Sequence, residues 1–187
     1  MYIRCYNIIS GVTLLYQQFN KYKVLSVFFD YPNKKFQLRE LSRITEIALP
    51  SVKKYVEELT REGFVKEVNT GIYKGFRSSL NREYGILKRN DLLYRLETSG
   101  LIRELEDRFT PNCIVLYGSA VKGLDDERGD IDIFVQSRKG EIDLEKYESM
   151  LKRKISLLFE PDLEKLSNEL RNSLANGIVL SGFLKVI

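Results

Sequence analysis

With 187 residues the chain is long enough for two small domains or one of medium size, and its 43% hydrophobic content supports ordinary packed cores. Histidine is absent altogether. This excludes Ser-His-Asp and Cys-His catalysis, His-containing zinc sites and imidazole proton shuttles, so a general base has to be a carboxylate, Lys, Tyr or water. The net charge of +4 is unevenly spread, with 15 Lys/Arg against 8 Asp/Glu over residues 21–89 and 14 against 18 over residues 90–187; a basic front half joined to an acidic back half suggests two modules with different partners.

Residues 1–20 contain Ile8, Ile9, Val12, Leu14 and Leu15 without a period, and a docking helix, a strand or an irregular terminus fits them equally. From Lys21 the pattern is regular. Tyr22, Val24, Leu25, Phe28 and Phe29 keep helical spacing up to the turn signal Asp30-Tyr31-Pro32-Asn33. Residues 36–44 predict a short amphipathic helix. Leu49-Pro50-Ser51 opens a third, since the N–H that proline lacks would be unpaired at a helix start. Val52, Tyr55, Val56 and Leu59 form its inner face and Gly63 closes it. Residues 64–68 alternate as a strand, Asn69-Thr70-Gly71 signals a turn, and residues 76–80 return as a second strand. Residues 81–109 are largely helical with breaks near Asn90-Asp91 and Ser99-Gly100, which makes 83–110 a helical connector whose seam is Leu92, Leu93, Leu96, Leu101, Leu105 and Phe109.

A second module is expected over 111–187. Residues 113–117 are a continuous apolar strand, and residues 130–135 alternate acid and apolar as a half-buried strand does. Leu144, Tyr147, Met150 and Leu151 fit a helix, and residues 155–159 a third strand. Pro161 is expected to start another helix, with Leu163, Leu166, Leu170 and Leu174 on one stripe and Gly177 past its end. Short closing strands are expected at 178–180 and 183–186.

Cys5 and Cys113 form no C-x-x-C pair, and Cys113 reads as a small buried hydrophobe. That usage fits a reducing cytosol. No apolar run reaches the ~18–20 residues that span a bilayer, and residues 1–10, with Arg4 as their charge and no small-residue cleavage site, are not expected to be a secretory signal. A cytoplasmic protein with no membrane partner is therefore expected.

The residues that could support chemistry are Gly118 and Ser119, directly after the apolar strand, and Asp130 and Asp132 on the next. Residues two apart on a strand share a face, so both carboxylates can point at one metal ion while Ile131, Ile133 and Val135 face the core. Magnesium suits a few carboxylates completed by water and substrate phosphates. Gly118 permits close backbone approach, Ser119 offers a hydroxyl and an N–H to phosphate, and a helix starting at Ser119 or Ala120 would add its amides. Lys122 lies one turn along, within reach of a phosphate oxygen. Residues 125–129 read as an exposed acidic loop.

This pattern of Gly-Ser, a spacer, then Asp-x-Asp resembles the minimal nucleotidyltransferases of the polymerase-β-like superfamily, over residues 112–187. Gly118, Ser119, Asp130 and Asp132 carry the resemblance, with Gly123 and the segment 176–184 in keeping. It implies a mixed αβ fold and magnesium-dependent transfer of a nucleoside monophosphate from NTP to a hydroxyl, with Asp130 and Asp132 holding the metal and pyrophosphate leaving. Some such relatives are antitoxins that modify a partner toxin, which makes a protein acceptor an expectation beside a small-molecule hydroxyl. The family usually carries a third Asp on the following strand. Here Lys154-Ile155-Ser156-Leu157 aligns with that segment, so Ser156 stands at its position, and Glu160 would share the face if the strand extended that far.

Three helices followed by a hairpin also resemble the winged helix-turn-helix family, over residues 21–82. The resemblance implies DNA binding through the start of the third helix, at Ser51, Lys53 and Lys54, with Lys74 and Arg77 on the wing touching phosphate. Modules of this kind often dimerise, which makes a homodimer an expectation. The expected architecture is thus α+β: an N-terminal winged helix-turn-helix (21–82), then a mixed-sheet nucleotidyltransferase domain (111–187). Two functions follow, an enzyme with a DNA-binding arm or a catalytically degenerate, nucleotide-sensing transcriptional regulator.

Overall fold

The computed structural model describes residues 20–70 and 73–185; the N-terminal segment 1–19, the turn residue Gly71 and Val186 lie outside them. The chain divides into two compact units, Met1–Lys88 and Arg89–Ile187.

The first unit has helices α1 (Asn20–Asp30), α2 (Leu38–Thr45) and α3 (Leu49–Arg61), then an antiparallel hairpin of β1 (Val65–Thr70) and β2 (Tyr73–Ser78). Val24, Val27 and Phe28 of α1, Leu41 of α2, and Val52, Val56 and Leu59 of α3 share one buried cluster; the last three lie on one stripe at helical spacing. Phe36, expected inside the second helix, instead precedes it. Its N–H and C=O each bond to the backbone of Phe76 at 2.8 Å, and its ring packs edge-on to Phe28 with centroids 5.5 Å apart. A paired backbone and a fully buried aromatic ring outweigh one more helical turn. Strand β2 also ends earlier than residue 80: Ser78 is buried and donates to the Phe28 carbonyl at 3.1 Å, and Leu80 has left the strand at φ 59°.

Helix α4 (Arg82–Ser99) starts under Asn81, whose Oδ1 accepts the Tyr84 N–H at 2.8 Å. It runs unbroken through Asn90-Asp91, where a break is expected from the sequence. Asp91 remains helical beside Arg95 one turn on, at 2.8 Å. The break at Gly100 (φ 82°) separates α4 from α5 (Leu101–Phe109).

The second unit is mixed α+β. Strands β3 (Cys113–Tyr117), β4 (Ile131–Val135), β5 (Ile155–Phe159) and β6 (Ile178–Gly182) form a sheet in the order β5-β4-β3-β6, with β4 and β5 parallel and the other pairs antiparallel. Helices α6 (Glu145–Leu151) and α7 (Asn168–Ala175) complete it. Strand alternation splits the core. Ile114, Leu116, Ile131, Ile133, Val135 and Ile155 pack with Leu96, Leu101 and Leu105 on one face, while Cys113, Val115 and Phe134 pack with Leu174 on the other. Asp132 has the parity of Phe134, so it belongs to the second face.

Two expectations near the C-terminus need correction. Pro161 does not start the long helix; a 3-10 turn at Leu163–Lys165 comes first. Helix α7 begins after Ser167, whose Oγ accepts the Leu170 N–H at 3.3 Å, an N-cap that outcompetes proline as the start signal. The two closing strands are one: β6 runs through Ser181 and stops at Gly182 (φ 73°).

Candidate functional site

The site is built where β3 ends. Five apolar residues carry the chain to Tyr117, and Gly118 then adopts φ 77°, ψ −154°, a conformation only glycine reaches readily. Antiparallel pairing sets Tyr117 opposite Asp132. A Cβ on Gly118 would lie 2.5 Å from the Asp132 Oδ2, so the carboxylate abuts the bare Cα of the turn. Two independent reasons therefore require glycine there.

Instead of a full helix after the turn there is a four-residue 3-10 segment, Ser119–Lys122, ended by Gly123 at φ 65°. Ser119 and Lys122 are exposed on it. Its single turn offers far fewer aligned amides than the helix expected from the sequence.

Asp130 is exposed and immediately precedes β4, while Asp132 is half-buried within it. Burial, and then the negative charge of Asp130, raises the Asp132 pKa above the ordinary carboxylate value, with Arg153 pulling the other way. The charge of Asp130 thus acts on Asp132, the carboxylate that abuts Gly118. Parallel pairing places Ser156 beside Asp132, on the same face of the sheet. Glu160 does not join them: β5 ends at Phe159, and the Glu160 carboxylate accepts the Asp162 N–H at 3.0 Å. Among the described residues no group of three or more His, Cys, Asp or Glu could hold a metal ion. The acids that remain near the turn are Asp132 and, acting on it electrostatically, Asp130. Two carboxylates suit a cation that takes its remaining ligands from water and phosphate, and their mutual repulsion is relieved by one.

The segment expected to be an exposed acidic loop is organised. Asp125 is buried and pairs with Arg153, Oδ2 to Nη1, at 2.5 Å, with side chains 3% and 7% exposed respectively. The Arg153 Nε donates to the Gly129 carbonyl at 2.7 Å. Asp126 Oδ1 accepts the N–H groups of Arg128 at 2.9 Å and Gly129 at 3.1 Å, which holds its carboxyl below the usual range. Spacing gives no hint of the Asp125 pairing, because its partner lies 28 residues away.

In the other unit, Ser51 is half-buried and Lys53 and Lys54 are exposed near the start of α3. Lys53 makes a long contact to Glu57 at 3.9 Å. Lys74 pairs with Glu67 across the hairpin at 2.9 Å. Arg77 lies opposite Lys66, and its Nε is buried without a hydrogen-bond partner.

Residues 99–179 match the family model of a nucleotidyltransferase domain. The match supports the nucleotidyltransferase superfamily for this part of the chain and covers β3, the Gly118 turn, β4, β5 and all but the end of the sheet. No curated protein and no solved structure matches the chain. No helix among the described residues is long and apolar enough to cross a membrane.

A carboxyl whose folded pKa is raised binds its proton more tightly in the native chain than in the unfolded one. Asp132 therefore costs stability once ionised, and stability falls as pH climbs from the unfolded value, about 3.9, through the raised folded one. In metal-free buffer, Asp132→Asn is expected to raise the Tm at pH 7, with the gain vanishing below about pH 3. An unchanged or lower Tm at pH 7 would contradict the raised Asp132 carboxyl.

Proposed function

We propose that the second unit transfers a nucleoside monophosphate from NTP to a hydroxyl on a protein or small molecule, and that the first unit is a winged helix that binds DNA. The reading of the second unit is carried by one contact, the Asp132 carboxylate against the Gly118 turn, with the charge of Asp130 acting on it; the family match supports it. Asp130 and Asp132 would hold magnesium, and Gly118, Ser119 and Lys122 would line the phosphates. Bound magnesium would supply charge neutralisation at the phosphate oxygens.

In the transfer, the acceptor oxygen bonds to the α-phosphorus, the bond from that phosphorus to the bridging oxygen breaks, and pyrophosphate leaves. The hydroxyl proton has no carboxylate at Ser156 to receive it and passes to water or to a group on the acceptor. Exposed Ser119 can donate its hydroxyl to a phosphate oxygen, and Lys122 can add a positive charge. A missing general base costs ~10²–10⁴-fold in rate. The position of Ser156 beside Asp132 is the observation that favours a second reading, in which the site senses NTP without turnover and nucleotide shifts DNA affinity.

One experiment separates the two. The protein is incubated with labelled NTPs, magnesium and cell extract, beside Ser156→Asp and an Asp130→Asn/Asp132→Asn control. Label transfer or pyrophosphate release is expected, lost in the control and raised about 10²–10⁴-fold in Ser156→Asp. Nucleotide binding with no turnover in either the native chain or Ser156→Asp would sink the transferase reading.

The DNA reading is supported by the +7 balance of residues 21–89, by Lys53 and Lys54 exposed at the start of α3, and by Arg77 held next to Lys66. Neighbouring cations repel until an anion such as phosphate joins them. Affinity for duplex DNA is expected to fall steeply with salt, and Lys53→Ala/Lys54→Ala to reduce the log–log slope by about 2. A flat salt dependence in the native chain would contradict DNA binding.

A further inference from the structure

We infer that Arg153, locked by Asp125, is the positioning residue that aims Asp130, and with it the metal-binding face, from the chain segment leading into β5. The inference rests on the proposed reading of Asp130 and Asp132 as metal ligands and names what sets their geometry.

Asp130 stands outside the regular strand, yet it is gripped on both sides. Ahead of it, the Gly129 carbonyl accepts the Arg153 Nε at 2.7 Å. Behind it, the Ile131 N–H donates to the Lys154 carbonyl at 2.8 Å. Consecutive residues of one segment thus hold the two neighbours of a single carboxylate. The far side of the guanidinium is fixed by Asp125, Nη1 to Oδ2 at 2.5 Å. The Asp126 turn closes the loop onto Gly129 from within.

A charge this buried costs folding free energy unless it is fully paired. The Arg153 Nη2 is buried with no hydrogen-bond partner, so the guanidinium retains an unmet donor. A fold that needed only a filled space would be served by an apolar pair of the same volume. The planar fork of arginine supplies something such a pair lacks, two directed bonds to two different targets. Removing residues that orient metal ligands without touching the metal typically weakens metal binding 10–100-fold. With Ser156 in place of a third carboxylate, and no cluster of three or more such ligands among the described residues, the cation would rest on Asp130 and Asp132, which makes the aim of Asp130 decisive.

The test uses the full chain and Mn²⁺ alone as probe, with free Mn²⁺ read by electron paramagnetic resonance. Tm is followed throughout, and kcat and KM are measured wherever turnover is detectable. Arg153→Lys keeps the charge but not the fork. Asp125→Leu/Arg153→Met removes the pair together with its desolvation cost, so it is expected to fold even where a single change does not. Both are expected to melt cooperatively and to bind Mn²⁺ about 10–100-fold more weakly, with any turnover losing kcat more than KM. Native Mn²⁺ affinity in a folded variant would overturn the assignment. Loss of a cooperative melt in both variants would also overturn it, by showing that the pair serves folding alone. An Asp130→Asn/Asp132→Asn chain that binds Mn²⁺ as tightly as the native one would instead overturn the metal-face reading beneath it.

Discussion

The contact between the Asp132 carboxylate and the bare Cα of Gly118 is the constraint on which the site depends. It exists because β3 and β4 pair antiparallel with Tyr117 opposite Asp132, and because Gly118 turns at φ 77° with no side chain in the way. A methyl there would meet Oδ2 at 2.5 Å. The acid can therefore take its position only because residue 118 has no side chain. The apolar residues of β3 and β4 fix that register by burial on both faces, so the core and the chemistry share one cause. A one-residue slip in the pairing would exchange the two faces, moving Asp132 to the side that Ile131 and Ile133 occupy.

Electrostatics then shapes what the face can do. Asp132 carries a burial cost and the repulsion of Asp130, opposed by Arg153. A positive charge placed beside Asp132 would relieve that repulsion. The sheet offers Ser156 at the neighbouring position, a hydroxyl that can accept or donate a hydrogen bond but cannot hold a proton as a base at neutral pH.

Much of this was legible in the sequence, and the rest was hidden for physical reasons. The strand 113–117 could be read from its unbroken apolar run, because a strand buried on both faces tolerates nothing polar. The half-buried position of Asp132 within an apolar strand followed from two-residue periodicity. What spacing cannot show is long-range pairing. The bridge from Phe36 to Phe76 looked like the start of a helix, and Asp125 looked like part of a solvated loop because its partner Arg153 is remote in sequence. Glu160 failed as a third acid because the strand ends before it and a local turn captures its carboxylate. Capping misled as well. Pro161 looked like a helix start, yet Ser167, with a side chain able to accept an N–H, is where α7 begins.

The most direct measurement is a Mn²⁺ titration of the isotope-labelled full chain, followed by paramagnetic broadening of backbone amide signals. If two carboxylates and the glycine turn converge on one cation, substoichiometric Mn²⁺ should first broaden Gly118, Ser119, Ile131 and Asp132 together, and ATP should extend the effect toward Lys122. Early broadening centred on another acidic stretch, such as residues 141–148, with the Gly118 and Asp132 signals untouched, would contradict the account.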